Sequence, residues 1–95
     1  MLSINPFDLS QPNNEDTEKQ ILRIALISEL DSVNLFEQLA FVSKDTKAKA
    51  VFHNILKEKK EHIGELETFL LRSDQEQMEG LAEGTKELEK LDEAN

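Results

Sequence analysis

Residues 17–43 contain neither glycine nor proline, and this stretch constrains the fold more than any other part of the chain. Apolar residues recur through it at intervals of three and four, which is the repeat of one face of an α-helix. The apolar sector is wide enough to contact two neighbouring helices rather than one. Thr17 fits the N-cap, and Gln20 three residues later completes a capping box. We therefore predict a long helix with two packing partners.

A second apolar stripe of helical period covers residues 46–72, after a short polar connection beginning at Ser43. Two long helices joined by a short connection predict an antiparallel hairpin over 17–73. Residues 1–16 hold both prolines and read as an N-terminal arm. Residues 74–95 carry eight acidic and two basic residues, a net charge of −6, and include a short helix-forming stretch. The predicted fold class is all-α.

Composition excludes several classes of function. The chain of 95 residues has a formal net charge of −9, which argues against binding to nucleic acids and to anionic membranes. It has no cysteine, which rules out a disulfide scaffold, a thiolate zinc site and a thiol nucleophile. No apolar run approaches the ~20 residues of a membrane-spanning helix, and no signal peptide is visible. We expect a cytoplasmic protein.

The apolar surface of such a hairpin exceeds what one small chain can bury. A second copy related by a two-fold axis would cover it and produce a four-helix bundle. We therefore expect a homodimer at minimum. The residues expected to contribute to the buried bundle are Leu22, Leu26, Val33, Ile55, Leu66 and Phe69.

Three polar residues interrupt the apolar seams of the hairpin. Glu29 lies on the seam of the first helix, and Lys59 and His62 lie on that of the second. Charged groups in a bundle core are costly unless they are paired or bind metal. Glu29 and His62 are about equally far from the turn, so the helical rise of about 1.5 Å per residue predicts that they face each other.

This arrangement resembles the ferritin-like di-iron proteins, in which one helix supplies a Glu and the next a Glu-x-x-His pair. The resemblance narrows to the encapsulated ferritins, which store iron inside encapsulin shells. It rests on residues 27–36 (ISELDSVNLF), 58–65 (EKKEHIGE) and 1–6 (MLSINP), and covers residues 1 to about 75. It implies a hairpin that dimerises into a ferritin-like bundle around a di-iron ferroxidase centre, with the dimers forming a ring, typically a decamer.

Carried over residue by residue, the family's metal ligands match Glu29 and His62, whereas the Glu of Glu-x-x-His falls on Lys59. A lysine ammonium cannot bind a metal. Three outcomes stay open. Glu58, four residues before His62, completes the iron site; the centre is missing; or Lys59 pairs with Glu29 and takes the place of a metal. Asp31 is a candidate for the route by which iron enters.

The sequence thus leaves three classes of function. The first is an iron-oxidising and iron-storing encapsulated ferritin, with Glu29, Glu58 and His62 as the expected iron ligands and an encapsulin shell as the expected partner and location. The second is a degenerate homologue that binds metal weakly or not at all. The third is an unrelated helical adaptor whose acidic tail binds a basic partner. Whether the chain is free cargo or the front domain of a shell fusion stays open.

Overall fold

The computed structural model describes residues 15–94, so most of the predicted N-terminal arm lies outside the described residues. This part of the chain forms three helices: α1 (Glu15–Val42), α2 (Thr46–Ser73) and α3 (Gln75–Ala94). It contains no strand. The predicted all-α class, the antiparallel hairpin and the third helix are confirmed.

Two helix boundaries differ from those predicted. Helix α1 begins at Glu15, two residues early, so Thr17 lies within the first turn instead of capping it. Asp16 favours this extension because an acidic side chain stabilises the positive end of a helix. Helix α3 has 20 residues and runs through Gly80 and Gly84, although the sequence predicted a shorter helix after them. Both glycines have negative φ, so they weaken the helix without breaking it.

The turn between α1 and α2 is closed by local hydrogen bonds. The Asp45 carboxylate caps α2, accepting from the backbone N–H groups of Lys47 (2.8 Å) and Ala48 (3.0 Å). The N–H of Ser43 donates to the carbonyl of Leu39 at the end of α1 (3.0 Å). These bonds satisfy helix-end groups that would otherwise lack partners. The short turn fixes the register in which α1 and α2 run side by side.

The core of a single chain is small. Ala40, Leu56 and Leu70 are the buried hydrophobic residues of the described part, and no large side chain there is fully buried. The rings of Phe36 and Phe52 contact each other across the hairpin with centroids 6.0 Å apart. Phe69 is 58% exposed, and the other five residues predicted for the buried bundle are half-buried. Much of the apolar surface of the hairpin is therefore available to another chain.

Asp74 joins the hairpin to α3. Its Oδ1 accepts from the N–H of Gln77 (3.1 Å), which caps α3, and its Oδ2 accepts from Nη2 of Arg23 on α1 (2.7 Å). The hydrogen bond from Gln77 lowers the pKa of the Asp74 carboxyl below its usual value. The hydrogen bond from Arg23 and the positive charges of Lys19 and Arg23 lower this pKa further, whereas burial raises it. This one carboxylate links α1 to the start of α3, which has no buried residue of its own.

Candidate functional site

The polar residues predicted to face each other do so. Oε2 of Glu29 on α1 lies 3.5 Å from Nδ1 of His62 on α2. The two residues are 33 positions apart in sequence, and only the antiparallel packing of the helices brings them to the same height. This contact confirms the predicted register of the hairpin.

Lys59 approaches the same carboxylate oxygen. Its Nζ is 3.4 Å from Oε2 of Glu29, and the two side chains are 26% and 21% exposed. Lysine and histidine, three residues apart on α2, thus both point toward Glu29. The ion pair between Lys59 and Glu29 is one of the three arrangements that the sequence left open.

The contacts to Glu29 are not hydrogen bonds. Its Oε2 is fully buried, and no donor in the described chain meets it with hydrogen-bond geometry. The distances to Lys59 and His62 lie at the outer limit for such bonds, so the interaction is electrostatic and not directional. A buried carboxylate oxygen in this state retains the capacity to accept a bond from a further donor or to bind a cation.

An open, largely apolar pocket of about 470 Å³ lies beside this carboxylate. The side chain of His62 is half exposed toward solvent. The residues that line the pocket are Leu22, Ala25, Glu29, His62, Glu65, Leu66 and Phe69. Three of these residues, Leu22, Leu66 and Phe69, belong to the face that the sequence assigned to a second chain, so dimerisation through that face would close the pocket.

The other predicted site residues lie elsewhere. Glu58, expected to complete the ligand set, is exposed and does not line this pocket. Asp31, the candidate for the iron route, is half-buried and also outside it. Glu65 lines the pocket although it was absent from the predicted ligand set. Its position three residues after His62, on the same helix face, was the available signal.

The donor set of one chain does not fit a metal ion as it stands. Within residues 15–94, no three aspartate, glutamate or histidine side chains are close enough together to hold one. Glu29 and His62 supply two donor atoms, and the third nearby group is an ammonium, which cannot ligate and which repels a cation. A metal at this site would have to displace Lys59 and recruit further ligands.

None of the helices in the described part of the chain has the length and apolar character needed to cross a membrane. No protein-family profile matches the sequence.

Similarity to known proteins is high in both sequence and structure. The chain is 39% identical over 93 residues to a ferritin-like–encapsulin shell fusion protein of Pyrococcus furiosus. This match covers 96% of the chain but 27% of that relative, so the chain spans about a quarter of its length.

The fold matches the crystal structure of the encapsulated ferritin domain from Pyrococcus furiosus with a TM-score of 0.85 and 38% sequence identity. The match covers 96% of this chain and 95% of that domain. Because the hairpin, the third helix and the sequence all agree over nearly the full length of both chains, this protein belongs to the encapsulated ferritin family.

Proposed function

We propose that this chain is a ferritin-like subunit that assembles in association with an encapsulin shell and in which Lys59 takes the place of the bridging metal. The observation that carries the proposal is the 3.4 Å ion pair between Lys59 and Glu29. The association with a shell is supported by the Pyrococcus furiosus relative, whose name describes a fusion to an encapsulin shell protein. Its location would then be the interior of the encapsulin compartment.

Charge balance supports a metal-independent centre. In the di-iron centre implied by the family resemblance, each chain contributes two glutamates, and one ferrous ion per chain neutralises them. Here each chain contributes the anion Glu29 and the cation Lys59, so this pair is neutral without a metal. A divalent ion at Glu29 would add charge to a neutral pair and lie beside an ammonium group. A lysine in place of one glutamate ligand therefore removes a metal ligand. It also supplies the positive charge that the metal would otherwise provide.

The second chain needed for such a centre is supported by the exposed apolar surface around it. Leu22, Leu66 and Phe69 line the pocket beside Glu29 and remain half-buried or exposed in one chain. Two hairpins packed through this face would bury these side chains and remove water from both ion pairs. The dimer is thus proposed to form around Glu29 and Lys59.

Anaerobic loading with Fe(II) tests the proposal. We expect the parent protein to bind no stoichiometric iron, to oxidise Fe(II) at the background rate, and to keep its mass in solution when a chelator is added. Lys59→Glu should bind about one iron per chain and oxidise it, since it restores Glu-x-x-His. Lys60→Glu, with the same charge change at an adjacent exposed lysine, is the matched control and should bind none. A parent that binds one iron per chain would overturn the proposal.

Iron oxidation of the encapsulated-ferritin type is the second candidate, and one observation favours it. The buried Oε2 of Glu29 accepts no hydrogen bond and lies beside His62, so it retains the capacity to bind a cation. In this case Lys59 would turn away, and a further carboxylate would complete a di-iron site between two chains. The candidates are Glu58, predicted from sequence, and Glu65, which lines the pocket.

The same iron measurements separate these two carboxylates. If the parent binds iron, Glu58→Gln should abolish binding if Glu58 is a ligand, and Glu65→Gln should abolish it if Glu65 is. Glu61→Gln is the control and should leave iron binding unchanged. If none of these variants changes iron binding, the metal lies at another site.

A further inference from the structure

Positive charge is concentrated in one part of an otherwise acidic chain. Residues 44–60 hold six of the eleven lysines and arginines and only two acidic residues, a net +4, whereas the whole chain has a net charge of −9. One of these six lysines, Lys59, forms the ion pair with Glu29. Most of the positive charge in this segment therefore has no part in the Glu29 centre.

Four basic side chains form a row along α2, which we call the lysine row: Lys49, His53, Lys57 and Lys60. Their spacings of four, four and three residues place them on one face of the helix, over roughly 16 Å of its axis. His53, Lys57 and Lys60 are exposed, and Lys49 is half-buried. The row presents three ammonium groups and one imidazole.

The three lysines of the row form no ion pair within the described part of the chain. By contrast, each of the two lysines of α3 pairs with a glutamate three residues before it. Glu61 follows Lys57 by four residues, yet the two do not pair. Lys57 and Lys60 are three residues apart on one face, so their charges repel each other. A bound anion would remove this repulsion.

The row lies on the side of α2 opposite the face proposed for the dimer. Leu66 and Phe69 line the pocket beside Glu29. Lys57 and Lys60 precede these two residues by nine positions each. Nine residues are two and a half turns of helix, so the two sets of side chains point in opposite directions. If the proposed dimer forms through the pocket, the row stays accessible on its outer surface.

The surroundings of the row indicate which kind of anion it binds. Between Lys49 and Lys60, the one exposed large hydrophobic residue is Val51, which precedes Lys60 by nine residues and so points away from the row. The row therefore lacks the apolar centre of a protein interface. It also has no phenylalanine, tyrosine or tryptophan on which nucleotide bases could stack, and no arginine to form paired hydrogen bonds.

Recognition at the row therefore depends on charge. Lysine ammonium groups on long flexible side chains act as point charges and do not impose one hydrogen-bond geometry. Such groups favour a ligand that carries many negative charges close together along one flexible chain. Linear polyphosphate has this chemistry, and a chain of it can contact all three ammonium groups at once.

We propose that the lysine row binds linear inorganic polyphosphate, which lies along α2 from Lys49 to Lys60. Each ammonium group displaces a counterion from the polyanion, and the release of these counterions supplies the affinity. A single inorganic phosphate cannot span the row and binds more weakly, because it gains nothing from multivalency. The site is separate from Glu29 and does not depend on whether that centre binds iron.

Calorimetric titration of the full chain with a short linear polyphosphate tests the proposal. We expect saturable binding, and a logarithmic plot of the association constant against salt concentration should have a slope of about −2 to −3, as three lysine contacts require. Inorganic phosphate at the same phosphorus concentration should bind at least tenfold more weakly, and equal affinity for it would overturn the proposal. Equal affinity for polyglutamate or for a single-stranded oligonucleotide of matched charge would also overturn it, since the partner would then be an acidic protein or a nucleic acid.

Paired substitutions locate the site. Lys57→Glu with Lys60→Glu should lower the affinity about tenfold or more and reduce the salt slope by about 1.5, with an unchanged circular dichroism spectrum. Lys44→Glu with Lys47→Glu makes the same change of net charge at exposed lysines outside the row and is the matched control. An equal loss in both pairs would show that binding follows net charge alone and would overturn the proposal.

A conservative pair provides a second check. Lys57→Arg with Lys60→Arg keeps both positive charges and should keep the affinity within about threefold, because charge and not hydrogen-bond geometry carries recognition. Loss of binding in this pair would contradict the proposal. Iron loading reports on the Glu29 centre alone, so the failure of either proposal is distinguishable from the failure of the other.

Discussion

Two carboxylates join α1 to the rest of the molecule, and they differ in how completely their oxygens are satisfied. At the junction with α3, both oxygens of Asp74 accept a hydrogen bond, from Gln77 and from Arg23, the latter at 2.7 Å. In the middle of the hairpin, Oε2 of Glu29 is buried, meets Lys59 and His62 at 3.4 and 3.5 Å, and accepts no hydrogen bond.

The difference separates a structural role from an incomplete site. A carboxylate with directional bonds on both oxygens fixes one geometry and has nothing further to bind. A buried oxygen that has charge partners but no hydrogen bond needs another group, which a second chain or a cation can supply. Within one chain, both oxygens of Asp74 therefore have hydrogen-bond partners, whereas the buried oxygen of Glu29 has none. The following predictions test this distinction.

Removal of the Lys59 ammonium beside Glu29 should have the largest effect on the free energy of unfolding. Lys59→Met leaves the buried Glu29 carboxylate without its ion-pair partner and should lower the free energy of unfolding by about 1–3 kcal/mol, less than for a fully buried pair because both side chains are partly exposed. Arg23→Met should lower it less, because Asp74 keeps its bond from Gln77 and the Arg23 side chain is 46% exposed. Urea unfolding at fixed protein concentration measures both. Adding Glu29→Gln to Lys59→Met should recover part of the loss, and a further loss would contradict this explanation.

Loss of the junction carboxylate should act locally. Asp74→Ala removes the cap of α3 and the link to Arg23, so amide hydrogen exchange in the first turn of α3 should accelerate about tenfold while the hairpin changes little. Asp74→Asn retains a side-chain oxygen for the cap and should show a smaller acceleration. If exchange in α2 accelerates as much as in α3, the junction contributes to the whole fold and the distinction between the two carboxylates fails.

The same carboxylate predicts an acid response. Because the pKa of Asp74 is lowered in the folded chain, its contribution to stability is complete above the pKa of the unfolded chain, about 4, and is lost as pH falls through the folded pKa. Between pH 7 and 4.5 the exchange rates in the first turn of α3, corrected for intrinsic rates, should therefore stay constant, and below about pH 4 protection should decrease. Asp74→Asn should remove this pH-dependent step.

Exposed pairs on α3 provide the baseline and should have the smallest effect. Lys86 pairs with Glu83 at 3.4 Å, but both side chains are about two-thirds exposed. Lys86→Ala should therefore change the free energy of unfolding by less than about 0.5 kcal/mol in low salt, and less still in high salt. If Lys86→Ala lowered the free energy of unfolding as much as Lys59→Met, burial would not explain why the ion pair between Lys59 and Glu29 contributes more than an exposed pair.

The sequence by itself determined the helices, the hairpin and its register. These follow from local causes: apolar periodicity without glycine or proline over 17–43, a polar turn at Ser43, and a constant rise per residue that sets Glu29 opposite His62. The family resemblance is confirmed as well, by the 39% identity to the Pyrococcus furiosus fusion protein and the structural match to its encapsulated ferritin domain. Helix α3 is longer than predicted, because a helix capped by Asp74 tolerates Gly80 and Gly84, which lower helix propensity without ending the helix.

Only the tertiary structure decided which side chain meets Glu29. Glu58 and Lys59 are three or four residues from His62, and both spacings are compatible with a shared helix face, but neighbouring side chains point about 100° apart. The rotation of α2 against α1 selects Lys59 and leaves Glu58 exposed. The bond between Arg23 and Asp74 spans 51 positions and likewise has no local signal. Both contacts depend on how the helices pack, which is a property of the whole chain and not of any segment.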